Sequence, residues 1–180
     1  MRTLQQQRGI TLVEASIVGA IAAITLTAAA PSFQHFIEKQ RLDGAAAELA
    51  SDIQFARAEA VLRNTGLRLS LHGLPWGSCY VIHTGAKDQC RCAASGPAQC
   101  SGDAQQVKTV QLRADSRIAL QGNVSSILFD PLHGTGTPSG TLKLVAASGR
   151  AVHHVVNVMG RVRTCSPRGA AAPVAGYRAC

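Results

Sequence analysis

Gly9-Ile10-Thr11-Leu12-Val13-Glu14 opens the segment that decides the fold, an apolar run from Ile10 to Ala30 in which Glu14 is the only charge. At roughly 1.5 Å per residue the run reaches about 31 Å, enough to cross a bilayer core. A secretory signal places its small-residue cut after the apolar stretch. Here the short polar leader ends in Arg8-Gly9, ahead of it. Cleavage between Gly9 and Ile10 is therefore expected to leave the segment on the mature chain as an anchor and assembly surface. A carboxylate at mid-bilayer costs on the order of 2.5–3.5 kcal/mol, so Glu14 needs a cation. The fresh amine of Ile10, on the same chain or a neighbour's, supplies one.

Beyond the run, Pro31 is expected to kink the helix. Apolar or small residues then recur at Leu42, Ala46, Leu49, Ile53, Ala56 and Ala60, steps of four and three that mark one helical face. Asn64-Thr65-Gly66 is the expected stop, with Gly66 taking a left-handed turn. A helix from Ile10 to about Thr65 would run about 84 Å, longer than so small a domain is wide, so its first half is expected to project. After Gly66 the period changes to two: Leu67, Leu69 and Leu71 alternate with Arg68, Ser70 and His72. Further strands are expected at 79–83, 107–113, 126–130, 141–147 and 151–159, with an irregular surface loop around 90–104. One long helix followed by strands reads as α+β, the helix packed on an antiparallel sheet or on two packed sheets.

The charge is asymmetric. The chain's net charge is +8, and from Ile10 to Asp130 ten Lys or Arg are balanced by ten Asp or Glu. After Asp130 there is no acid, while Lys143, Arg150, Arg161, Arg163, Arg168 and Arg178 follow. Such an excess suits a polyanionic partner. Arg161 and Arg163, if extended, share a face about 7 Å apart, the spacing of successive phosphates on a DNA strand. The competing reading is a pair of charges that protects a sheet edge. With aromatics at 4%, stacking on single-stranded bases is poorly supplied, so duplex DNA is the better partner.

Six cysteines in a chain with a segment long and apolar enough to cross a membrane point to an oxidising compartment and disulfides. Cys165 with Cys180 is the first expectation, because both follow the last expected strand and their bond would staple the terminus. Cys79, Cys90, Cys92 and Cys100 would then pair among themselves, with zinc as the alternative use of these four. No hydrolase or phosphate-loop signature appears, and His153-His154 on a strand would face opposite sides. The expectation is a protein that is not an enzyme, with no catalytic residue, metal or cofactor.

The residues from Gly9 to Glu14 resemble the prepilin peptidase site of type IV pilins and type II secretion pseudopilins, with Ile10 in place of the usual Phe. Pro31-Ser32-Phe33, Phe129-Asp130-Pro131 and Gly160-Arg161-Val162-Arg163 are similar to the FimT/GspH group of minor pilins. The resemblance implies a type IV pilin-like fold divided into a leader (1–9), a transmembrane half-helix (10–31), an amphipathic half-helix (32–65), a β domain (66–160) and a basic, disulfide-stapled tail (161–180). It implies other pilins, prepilin peptidase and the inner membrane as partners. The expected location is the inner membrane of a Gram-negative bacterium, single-pass with a periplasmic domain, and then the pilus. FimT-type members are associated with extracellular DNA in natural transformation, and their basic motif maps onto Gly160, Arg161 and Arg163. Arg168 and Arg178 join the site if the tail is stapled. A type II secretion pseudopilin and a minor pilin that primes assembly or adhesion without DNA are the alternatives.

Overall fold

The computed structural model describes residues 11–169 and 173–180, apart from the side chains of Ala28 and Pro31. Gly9 and Ile10, the expected cleavage pair, lie outside the described residues. One helix, α1, covers Leu12–Leu62 and continues through Pro31. The chain divides into two units, Met1–Ile37 and Glu38–Cys180.

Within the first unit the helix is exposed all round, with Leu12, Ile17, Ile21, Ile24 and Leu26 open to the surroundings. Its apolar stretch has a mean hydropathy of 1.9 and is long enough to cross a membrane. The Glu14 N–H donates to Thr11 Oγ1 at 3.2 Å, so Thr11 caps the helix. Hydroxyls of Ser16, Thr25 and Thr27 bond to carbonyls one turn back, which leaves no polar side-chain group of these residues for a lipid to desolvate. The Glu14 carboxylate reaches no partner among the described residues.

In the second unit the remaining turns of α1 bury the expected face: Leu42, Ala46, Leu49, Ile53, Ala56 and Ala60 are each at most 1% exposed. The helix stops at Leu62, and the left-handed residue that ends it is Asn64 (φ +49°) rather than Gly66. Eleven strands follow among the described residues: β1 (Leu67–Leu74), β2 (Gly77–Thr84), β3 (Cys90–Arg91), β4 (Gln99–Cys100), β5 (Gln106–Arg113), β6 (Ile118–Gly122), β7 (Ser126–Phe129), β8 (Gly136–Thr137), β9 (Gly140–Ala146), β10 (Ala151–Val156) and β11 (Val162–Cys165). They form two principal antiparallel sheets, ordered β5-β2-β1-β7-β8 and β11-β10-β9-β6. The core is α1 against both, with Leu67, Leu69, Tyr80 and Phe129 from one sheet and Leu142, Leu144 and Val152 from the other.

All six cysteines are paired, Cys79–Cys92, Cys90–Cys100 and Cys165–Cys180, which closes the zinc alternative. The loop expected to be irregular contains the small hairpin β3–β4, in which Cys90 faces Cys100. Cys92 ties that hairpin to β2, and Cys90 is buried against Val81 and Ala104. The strand expected at 151–159 ends at Val156, and a turn through Asn157–Gly160 follows. β6 and β11 had no counterpart among the expected strands. β6 is short and mixed in polarity, and β11 carries Arg163 and Thr164 where a period-two apolar signal would be needed.

Candidate nucleic-acid interface

Register decides which side chains meet. In β9, Gly140, Leu142, Leu144 and Ala146 are buried, so Thr141, Lys143 and Val145 take the other, solvent-facing side. Pairing carries that side across the sheet: Lys143 faces His153, His153 faces Cys165, and Thr141 faces Val155, which faces Arg163. Arg163 therefore stands on the solvent face of the edge strand β11.

Arg161 lies just outside β11 but continues its ladder. The Asn157 N–H donates to the Arg161 carbonyl at 3.1 Å, and the Arg161 N–H donates to Asn157 Oδ1 at 2.9 Å. Opposed in this way, Arg161 and Asn157 share the face of Arg163, and both arginines are exposed. Neither Asp nor Glu stands on this face among the described residues. Of the six cationic side chains after Asp130, only Arg150 reaches an acid among the described residues, with Nη2 at 3.2 Å from Glu38 Oε1.

Gly160 is buried, with φ +69°. A Cβ there would lie 2.5 Å from the Gly134 carbonyl oxygen and 2.8 Å from Arg57 Cδ. Arg57 of α1 donates through Nε to that same oxygen at 2.9 Å. The glycine is thus the point at which the turn preceding Arg161 is pressed onto the helix, and its place is already filled from within the protein.

The tail returns to the same sheet. Ser166 donates its N–H to the Arg178 carbonyl at 2.8 Å and its hydroxyl to Ala151 O at 2.9 Å, and it accepts the Val174 N–H at 3.0 Å. Val174 is buried in the core. The Cys165–Cys180 bond closes this arrangement over the solvent face, with Cys180 Sγ 3.8 Å from His153 Nδ1. Arg178 is exposed beside Ser166, three residues on from Arg163, about 10 Å at strand rise. Arg168 is exposed beyond β11, and no hydrogen bond fixes its side chain among the described residues.

The two adjacent histidines part as alternation requires. His154 is fully buried with Nδ1 2.9 Å from Thr164 Oγ1, and burial pushes its pKa down to about 4. Its Nε2 lies toward Ala46 of α1 without forming a hydrogen bond. His153 is half-buried and held below the ordinary range by desolvation first and by the Lys143 charge second. Lys143, His153, Asn157 and Arg57 were not singled out by sequence reasoning as parts of a site. Period two in β9 marks Lys143 as outward, but only the β9–β10–β11 pairing places it with the arginines.

Residues 45–160 match the family model described as type II transport protein GspH. No curated protein matches the chain. Among solved structures, the chain is similar to the type IV minor pilin FimU of Pseudomonas aeruginosa strain PAO1 in its P21 crystal form. Identity is 19%, with 76% of this chain and 99% of that one covered at a TM-score of 0.53. The P65 form of the same pilin gives 17% identity, 72% and 100% coverage, and a TM-score of 0.50. At these identities the likeness concerns the fold, a long N-terminal helix with an antiparallel β domain.

Proposed function

The chain belongs to the family of GspH-like pseudopilins and type IV minor pilins, structural subunits rather than enzymes, and from that premise we propose a minor pilin that holds double-stranded DNA on its basic C-terminal face. The observation that carries this reading is the pair Arg161 and Arg163, side by side on a solvent face that presents no acid among the described residues. Guanidinium forks spaced like successive phosphates grip a strand without reading its bases. Gly160 sets the turn from which they project, and Arg168 and Arg178 extend the charge along the stapled tail. Binding is nonspecific and supports uptake of extracellular DNA.

With four phosphate contacts the salt slope is about −4 in log affinity per log salt. The test is a salt-series titration of the full chain, in neutral detergent, with mixed-sequence duplex. Arg161→Gln with Arg163→Gln lowers affinity equally for all sequences and flattens the slope by about two. Wild-type affinity in that double variant overturns the reading.

Assembly rests on the other unit. Prepilin peptidase cuts after Gly9, residues 10–31 hold the subunit in the inner membrane with its β domain in the periplasm, and the Glu14 carboxylate pairs with a terminal amine as the subunit enters the filament. Glu14→Ala leaves cleavage intact and reduces incorporation into pili. The GspH match favours a second reading, a subunit of a short periplasmic filament of type II secretion, which shares the anchor and the sheets. A duplex titration with no binding supports that reading or a minor pilin of assembly alone.

A further inference from the structure

We propose that the duplex contact is not confined to the arginines and tail but extends across the whole solvent face of the four-stranded sheet, with Lys143 as a further cation and the side-chain amides of Asn123 and Asn157 as neutral phosphate donors. The inference rests on the duplex-binding reading above and goes beyond it in naming the surface.

The face is ordered in rows. Side chains repeat about 7 Å apart along each strand and about 4.8 Å apart across them. One row runs Asn123, Thr141, Val155, Arg163, the first pair continuing the β6–β9 ladder. The next row toward the tail runs Gln121, Lys143, His153 and Cys165. On the opposite side stand Asn157 and Arg161. A phosphate track running along β11 therefore meets Arg161 and Arg163 in consecutive rows. In the third row Cys165 is committed to Cys180, and the permanent cation of that row is Lys143, two strands inward.

The two asparagines use the same device. Asn123 Oδ1 accepts the Thr141 N–H at 2.7 Å, as Asn157 Oδ1 accepts that of Arg161. With each oxygen spoken for, the orientation of each amide is set, and its Nδ2 is left as the donor. No acceptor takes either amino group among the described residues, and both residues are exposed. Between them lies a shallow depression of about 340 Å³, lined by Ser139, Thr141 and Val155 as well as by both asparagines. A concave floor with fixed amide donors, flanking hydroxyls and cations at one rim suits a sugar–phosphate backbone, for which Asn and Ser side chains are ordinary partners. Only Val155 and Val158 add large exposed apolar surface there.

The test uses the full chain in neutral detergent with a short mixed-sequence duplex. Asn157→Asp and Asn123→Asp keep the oxygen that holds the neighbouring N–H and replace the donor by a carboxylate oxygen. Each is expected to weaken binding about tenfold at low salt, through lost donation and like-charge repulsion. Lys143→Gln, at an outward position, flattens the salt slope by about one. Lys87→Gln, in the loop after β2 on the other sheet, leaves affinity and slope unchanged. Wild-type affinity in Lys143→Gln and both Asn→Asp variants, with binding still lost in Arg161→Gln/Arg163→Gln, overturns the extended surface and leaves the duplex reading standing. Absence of binding by the wild-type chain overturns both.

Discussion

The hydroxyl of Tyr80 donates to Asp52 Oδ2 at 2.7 Å across the seam between α1 and β2. Lys108 of β5 holds Asp52 Oδ1, also at 2.7 Å, so one buried carboxylate joins the helix to two strands. Burial first, and the Asp52 carboxylate second, keep the phenol protonated well above its ordinary range. Tyr80→Phe preserves the ring packing and deletes the donor while Lys108 stays in place. The expected loss is about 1.5–3 kcal/mol, the usual range for a bond to a charged group. Chemical denaturation of the chain reads it as a lower midpoint at unchanged slope.

Acid acts on His154. Its folded pKa, about 4, lies below the unfolded value of 6.5, so the unfolded chain binds the proton more readily between these values. Stability is complete above pH 6.5 and falls as pH drops toward 4, by about 3 kcal/mol from this group alone. His72 and His83, both lowered chiefly by burial, act in the same direction. Melting curves across that window are expected to show the decline, and His154→Gln to flatten part of it.

Gly160→Ala puts a methyl where the Gly134 carbonyl and Arg57 already stand, in a backbone conformation that disfavours side chains. The left-handed conformation alone costs about 1–2 kcal/mol, and the overlap adds to it. Thermal denaturation is expected to show the loss. Duplex affinity falls with it, because the turn that aims Arg161 moves; affinity equal to wild type would show that the turn does not position the arginine.

Removing the Cys165–Cys180 bond with a pair of serines frees a loop of separation 15, worth about 3 kcal/mol in the chain-entropy model. Proteolysis after residue 165 should accelerate. The salt slope should flatten by about one as Arg178 leaves the face, while Arg161 and Arg163, held by β10 and Asn157, keep their share.

The legible parts of this protein are those that depend on neighbours in sequence. The buried face of α1 was readable from steps of three and four, and the main strands β1, β2, β5, β7, β9 and β10 from alternation or apolar runs, because each pattern repeats within one element. β6 and β11 were not readable, since each is a short strand at an edge of its sheet, held by ladder bonds to its one neighbour rather than by its own side chains. Asn64 displaced Gly66 as the helix stop because an Asn tolerates the left-handed region well enough for the helix to close earlier. The Cys165–Cys180 pairing followed from position alone, whereas the other two bonds required knowing that a hairpin folds back on β2.

Sequence alone determined the apolar segment with its single acid, the α+β order of elements, and an acid-free basic end, since each is a property of composition and period along the chain. Tertiary structure decided which cations share a face: the pairing of β9, β10 and β11 sets Lys143 and His153 beside Arg163, and Asn157 brings Arg161 into the same plane. The physical reason is that a strand dictates only which of its side chains point the same way. Which strand lies beside it, and therefore which charges meet, is settled by hydrogen bonds between segments remote in sequence.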